Sequence, residues 1–427
     1  MLAALRSMWA LFFGLTVLWL GVGMSYSLLI LRATNEGFTG FELGIMQTSY
    51  QVGWLIAAVI GAPLIRRVGH IRVFSAMSAA SSAIIVMHLL WIHPWVWSLE
   101  RMWMGVCTAS LMIVCESWLN DMSENDIRGK VFGIYTILSW GAPVVGIGML
   151  RYGDINTAFY FIVATIFISV AVIPMLLTVS RTPSFIDSER LSVKALYKKS
   201  PLGVIGAFVS GAVQGGFFST VIIFANASGF PKDQALTLNM VAIGGGIVSQ
   251  WPIAMLSDRF DRRKVLLIVA ATGALVGLAW AYFADFAFWP TLMGMGLLSS
   301  VILSLYSLCV SHTNDYLSST QIVPASGTLI LLYGFGAAAA PAVLSPLILQ
   351  QPENFYWVIG GLMATLALFT LYRMTRRSGV AVEDQADTIA VSTASPYASV
   401  VTVAEEWGED VETEQGRHDR TEGNSDK

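Results

Sequence analysis

The sequence predicts an all-α polytopic membrane protein, with twelve transmembrane helices in two pseudo-symmetric six-helix bundles and both termini in the cytoplasm. Three observations predict it. Apolar residues make up 55% of the 427 residues and charged residues only 12%, where a soluble domain carries about 25% charged residues; the mean hydropathy is +0.64. The apolar residues fall in runs of about 18 to 25, the length that crosses about 30 Å of hydrocarbon as a helix. Lys and Arg sit almost entirely on alternate connections between those runs.

The first run, Ser7 to Leu31, carries no charge. It is too long for a signal-peptide core and is read as a span, not a removed leader. Further spans follow at 41–65, 71–91, 95–119, 130–150, 157–179, 201–225, 235–257, 265–285, 288–311, 322–348 and 355–373. Helices are the structure expected of them, because lipid offers no partner to backbone polar groups and a barrel strand needs only about ten alternating residues. With the N-terminus inside, the connections up to Arg377 on that side hold 18 Lys and Arg, against Arg32, Arg151 and Lys232 opposite. This bias places both termini in the cytoplasm and the chain in the cytoplasmic (inner) membrane.

The longest internal polar connection, 180–200, divides the spans six and six. The expected organisation is an N-terminal bundle over 1–179, that linker, a C-terminal bundle over 201–377 and an acidic tail over 378–427. Residues 381–427 hold twelve Asp and Glu and three Lys and Arg, about −9, leaving about +6 on the body. A tail of that composition is expected to be solvated and disordered. Cys107, Cys115 and Cys309 fall inside spans, so no disulfide framework is expected.

Each half repeats one feature. A basic turn follows its second span: Arg66-Arg67-Val68-Gly69-His70-Ile71-Arg72 in the first half and Ser257-Asp258-Arg259-Phe260-Asp261-Arg262-Arg263-Lys264 in the second. Such a repeat is what a duplicated two-bundle transporter would show. The second turn, with Ala254, Leu256, Asp258, Arg259, Arg262 and Arg263, resembles the loop signature of the major facilitator superfamily. Arg101 and Gly105 resemble its Arg-x-x-x-Gly motif, and Gly141-Ala142-Pro143 with Gly146 and Gly148 resembles part of its antiporter motif. More narrowly, Ser249-Gln250-Trp251-Pro252-Ile253, Glu116-Ser117, Arg128-Gly129 and Gly334-x-Gly336 with Pro341 are similar to the YcaD-type branch of bacterial transporters. The resemblance covers about residues 8–375. Arg66 stands where the superfamily has Asp, and Asp261 where it has Gly, so the N-terminal gate lacks the usual acid or uses another.

Within the spans Arg101 is the most costly residue, since an intramembrane charge normally faces the bundle interior, a water-filled cavity or a partner. It is expected to attract an anionic group of the solute or to control proton transfer with an acid. The alternatives are snorkelling to the headgroups or a static pair with Glu36 or Glu42. Gly105, four residues on, would let another helix approach. Glu116, about four turns from Arg101, is expected in a gate salt bridge with Arg67, Arg72 or Arg128. In the second half Asp258 is expected to face the N-terminal dipole of a neighbouring helix, with Arg259, Arg262 and Arg263 near Asp315. Spans expected from the resemblance to line a cavity supply Tyr26, Gln47, Tyr50, Gln51, Tyr135, Trp140, Gln214, Asn239, Tyr306 and Tyr333. Gln47 and Gln51, one turn apart, are expected to point inward together. Glu42, Glu100 and Glu116 are the few acids available to carry protons.

The five His residues show no metal-ligand spacing on one helix face, and no nucleophile motif or phosphate-cradling loop is present. No enzyme, cofactor, metal or nucleic-acid partner is therefore expected. The expected function is secondary active transport of a small solute by a monomer in the lipid bilayer, with alternating access. Protons are the coupling ion considered, and proton-coupled efflux antiport is one form. The alternative is a membrane sensor or interaction protein on a transporter fold, acting through the acidic tail.

Overall fold

The computed structural model describes residues 8–123, 125–176, 191–283, 286–376, 379–380 and 385. Among them the regular elements are helices: α1 (Trp9–Asn35), α2 (Gly40–Val68), α3 (His70–Met87), α4 (Pro94–Asp121), α5 (Asn125–Met149), α6 (Phe159–Val170), α7 (Val172–Leu176), α8 (Val193–Lys199), α9 (Pro201–Ala227), α10 (Lys232–Arg259), α11 (Arg262–Phe283), α12 (Phe288–Ile302), α13 (Leu305–Asn314), α14 (Ser319–Gln350) and α15 (Asn354–Arg376). Among the described residues eleven segments are long and apolar enough to cross a membrane, α12 and α13 together forming one of them. The sixth predicted span is interrupted, as α6 and α7. Pro174 has no N–H to give the Val170 carbonyl and its ring crowds it, and α6 stops at Val170.

Packing repeats between the two sets of helices. In the first set α2 packs on α4, α1 on α5 and α6, and α3 on α4 and α6. The second set follows the same scheme: α10 on α12, α9 on α14 and α15, and α11 on α12 and α15. Across the sets α2 meets α14 and α5 meets α10, again as equivalent pairs.

Local chemistry repeats as well. Gly37 (φ 78°) and Gly229 (φ 77°) end the first helix of each set in the left-handed region, where glycine carries no Cβ penalty. The following Phe38 and Phe230 donate backbone N–H bonds back to Ala33 and Ala225, at 3.1 and 3.0 Å. Gly105 of α4 also has the role its position predicted. A Cβ there would strike the Tyr50 carbonyl oxygen of α2, and one at Gly53 would strike the Met102 carbonyl oxygen of α4. The two backbones therefore cross in contact, as small residues permit in membranes.

Candidate functional site

The crossing at Gly53 and Gly105 sets Arg101 one turn along α4 from the contact and presses it between rings of α1 and α2. Its side chain is buried at 1% exposure, with the guanidinium carbon 4.5 Å from the Tyr26 ring centre and 4.3 Å from that of Tyr50. The two rings meet edge to face, 5.3 Å apart. Arg101 Nη2 donates to Gln47 Oε1 at 2.9 Å. Gln47 Nε2 in turn donates to the Tyr26 hydroxyl (3.3 Å) and to the Ser219 carbonyl of α9 (3.0 Å). The Tyr26 hydroxyl donates to Ser219 Oγ at 3.1 Å.

No carboxylate of a described residue pairs with Arg101, and its buried Nε has no hydrogen-bond partner. The two acids considered as static partners are used elsewhere. Glu36 pairs with Arg32 at 2.6 Å, and Glu42 closes a capping box with Thr39 at the start of α2. Cation–π contacts are worth about 0.5 to 2 kcal/mol each, whereas the effective penalty for burying an ion is several kcal/mol. Two rings and one amide leave part of the guanidinium's requirement unmet, and a bound anion would satisfy it.

The link from Gln47 to Ser219 has a counterpart. Asn239 Nδ2 of α10 donates to Ser27 Oγ of α1 at 3.0 Å. The chain separation between Gly37 and Gly229 also separates Gln47 from Asn239 and Ser27 from Ser219. Each set of helices thus sends the amide of its second helix to the first helix of the other. Thr48 Oγ1 adds a bond to the Ala338 carbonyl of α14 at 2.7 Å. At the end holding the α1–α2 and α9–α10 connections, Lys232 Nζ donates to the Gly153 carbonyl at 2.8 Å and Arg151 donates to Thr237 Oγ1.

The remaining cavity residues separate into two groups. Gln214 accepts from the Tyr333 hydroxyl at 3.0 Å and donates to the Ile302 carbonyl at 3.2 Å, with the Tyr306 ring 4.8 Å from that of Tyr333. Trp54, which sequence reasoning missed, lies 6.4 Å from Tyr50 and packs against the Tyr306 and Tyr333 cluster, joining the two groups. Gln51, expected to point inward with Gln47, is half-buried and forms no hydrogen bond with a described residue. The Trp140 ring lies tilted against Phe218, with centres 6.0 Å apart, and Tyr135 turns to Glu116.

Glu116 meets α5. Fully buried, it accepts a 2.7 Å bond from the Tyr135 hydroxyl, while Arg67 and Arg72 lie exposed at the helix ends without a described partner. The carboxylate is on the interior face of α4, facing α5, which those solvated side chains do not share. Arg66 is exposed, Gly69 (φ 94°) forms the turn into α3, and the Arg128 side chain lies outside the described residues.

In the second basic turn Arg262 Nη1 bonds Asp315 Oδ1 at 2.6 Å and the Ser311 carbonyl at 2.8 Å. Asp258 stands 3.8 Å from Arg262 Nη2, so this arginine is its observed charge partner. Arg263 turns to Asp261 at 2.7 Å. Burial alone would raise the Asp261 carboxyl; the Arg263 hydrogen bonds and charge outweigh it and hold that carboxyl below its usual range. Arg259 is exposed and has no described partner. Of the three arginines placed near Asp315, Arg262 makes the pair shown.

One buried pair was not anticipated. His88, just beyond α3, places Nδ1 3.3 Å from Glu100 Oε2 and 2.7 Å from the Ile84 carbonyl. That carbonyl only accepts, so Nδ1 carries the hydrogen. Neither Glu100 oxygen nor His88 Nε2 has a hydrogen-bond partner, and all three atoms are shielded from solvent. Trp97 seals the pair, donating Nε1–H to the His88 carbonyl at 3.1 Å. Glu100 was among the acids considered for carrying protons; its pairing with His88 was not.

Comparison with known proteins agrees with this architecture. The family model described as Major Facilitator Superfamily matches residues 11–313 and 205–407. The MFS-type transporter YcaD of Escherichia fergusonii is 24% identical over 380 residues, covering 87% of this chain and 97% of the relative. Among solved structures, the nucleoside transporter NupG superposes with a TM-score of 0.72 at 11% identity, covering 88% of this chain and all of that one. The D-xylose-proton symporter does so at 0.63 and 15% identity, covering 86% and 96%. At those identities the structures speak for the fold, and the family model for membership. The chain belongs to the Major Facilitator Superfamily.

Proposed function

We propose that this protein moves a small, negatively charged solute across the cytoplasmic membrane by alternating access. The moving units are the halves 1–179 and 201–377, joined by the linker 180–200. The observation that carries the reading is Arg101: a fully buried guanidinium with no described carboxylate partner, faced by two tyrosines and linked through Gln47 to Ser219 of the opposite half. A solute anion seated there would be felt by both halves at once. The Lys and Arg bias supports an outer position for the end tied by Arg151 and Lys232. Among the described residues, the hydrogen bonds joining the halves run from the centre to that end. Toward the basic end, Gly129 and Gly133 of α5 have open space where a Cβ would stand. These features fit a conformation closed outside and opening to the cytoplasm.

Coupling is proposed at His88 and Glu100. A carboxylate buried without hydrogen bonds would be strongly disfavoured, so the pair is expected to hold one proton in this conformation and to release it when movement brings water. The charged groups facing it are its own two members and Arg101. A solute anion at Arg101 favours retention of that proton, so the two travel in the same direction. This sign differs from the proton-exchanging efflux raised by the Gly and Pro pattern of the fifth span.

A ligand screen on the purified protein tests the charge of the solute, because a ligand stabilises the state it binds. Small carboxylates and phosphates should raise the melting temperature while their neutral methyl esters leave it unchanged. Equal stabilisation by acid and ester would remove the anionic solute from the account.

A further inference from the structure

The two equivalent interfaces between the halves are packed differently. On one side α2 and α14 stay in contact past their middles, with Leu55 and Ala58 of α2 against the cluster of Leu329, Ile330 and Tyr333 of α14. On the other, α5 and α10 meet at the end tied by Arg151 and Thr237, where a Cβ on Gly148 would stand 3.5 Å from Met240 Cε. Toward the basic end they part. Gly141 and Ile137 lie seven and eleven residues before Gly148, about two and three turns, so both are on the face of α5 that meets α10. Among the described residues nothing stands within 4 Å of a Cβ at Gly141, and Ile137 is 63% exposed. On α10, Gly244, one turn past Met240, has the same open space, and Met255, about four turns past it, is exposed. The chain separation between Gly37 and Gly229 also separates Ile137 from Leu329 and Gly141 from Tyr333. Leu329 is 0% exposed, so the same place is filled at one interface and open at the other.

This gap is apolar at its lips and leads to the arginine site. Ile134 and Ile137 of α5 face Ile247 and Met255 of α10 across it, and among the described residues α10 is the least buried of the eleven segments. Hydrocarbon meets such side chains at no cost, whereas water does not. Beside Gly141, Trp140 lies against Phe218, the neighbour of Ser219 in the network of Tyr26 and Gln47. Trp140 Nε1, shielded from solvent, has no hydrogen-bond partner among the described residues. At the basic end Lys130, eighteen residues or about five turns before Gly148, is exposed on the same face of α5.

We propose that the solute of the Arg101 site is a single-chain amphipathic carboxylate, which enters from the inner leaflet through the gap between α5 and α10. The inference rests on the anionic reading of Arg101 and adds to it the tail and the route. One buried guanidinium balances one carboxylate, whereas a phosphate dianion would leave a buried charge uncompensated. The head group passes Lys130, pairs with Arg101 and takes Trp140 Nε1 as a further donor. The hydrocarbon tail remains between Ile137 and Met255, in contact with the bilayer, and never crosses water. Such a tail accounts for an interface left open where its counterpart is filled by Leu329 and Tyr333.

Binding of straight-chain carboxylates from butanoate to dodecanoate, measured on the full-length protein in lipid nanodiscs with empty nanodiscs subtracted, provides the test. Each methylene moved from water to hydrocarbon is worth about fourfold, so dodecanoate should bind at least about 100-fold more tightly than butanoate. Filling the gap with Gly141→Leu should cut that ratio by about tenfold or more. A ratio near unity in the native protein, or one that Gly141→Leu leaves unchanged, overturns the proposal. A dodecanoate carrying a photoactivatable diazirine on its terminal carbon gives a second reading on the native chain, independent of any folding defect in the variant. It should label Ile137 and Met255 several-fold more than Leu275 of α11, which is 71% exposed; equal labelling overturns the proposal. Failure of the tail and failure of the anion are distinguishable. A flat series in which each acid still outbinds its methyl ester removes the tail and keeps the anion. Esters that match the acids, with a chain-length gain still lost in Gly141→Leu, remove the anion and keep the groove.

Discussion

Arg101→Ala is expected to lose solute binding by roughly 30-fold or more, the consequence of removing about 2 to 5 kcal/mol of buried charge-assisted contact. The guanidinium is the charge at the centre of the site, and no neighbouring cation can replace it among the described residues. Arg101→Lys separates this loss from misfolding. Lysine keeps the positive charge and the burial but has neither the planar fork nor the flat face that lies against Tyr26 and Tyr50. It should remain folded and bind weakly, with affinity between those of the native protein and the alanine variant. Native affinity in both variants, measured with whichever acid the melting screen identifies, would take Arg101 out of the site.

Glu100→Gln is expected to leave solute binding near native strength and to abolish its pH dependence. Glutamine has the shape of a protonated carboxyl group and cannot release the proton. With the anion roughly 10 Å from the pair and an effective dielectric constant of about 20, their interaction is about 1.7 kcal/mol, or more than tenfold in affinity. Native affinity should fall by about that factor as pH rises through proton release, and the variant should show a flat profile. In proteoliposomes the variant should exchange solute across the membrane yet fail to accumulate it against a gradient when the outside is made acidic. A glutamine variant that keeps the native pH profile would assign coupling to another group.

The membrane spans were legible because hydropathy over about twenty residues is a coarse property, insensitive to which face of a helix points where. Arg101 and Gly105 were legible for a related reason: an ion in lipid and a glycine four residues away each admit few explanations. The sixth span was read as continuous although it contains Pro174, because an apolar run does not register the missing N–H that ends α6 at Val170. The hydrogen bond from Tyr135 to Glu116 was not legible, because it depends on the rotation of α4 about its own axis. The reciprocal bonds of Gln47 and Asn239 needed the register between the halves. That register was present in Gly37-Phe38 and Gly229-Phe230, the first connection of each half, but the repeated basic turns drew attention instead. His88 was a single histidine near a span end, and only the fold brings Glu100 to it.

Movement of the two halves against each other is tested most directly by paired spin labels at opposite ends of one molecule, with the buried Cys107, Cys115 and Cys309 replaced. One pair would stand at Arg67 and Phe260, at the basic ends of α2 and α10, and the other at Tyr152 and Trp289, at the opposite end; all four positions are exposed. The account predicts two distances for each pair, with populations that shift oppositely when the solute is added: as the basic end closes, the other end opens. A single distance at both ends, or opening at both ends together, would contradict it.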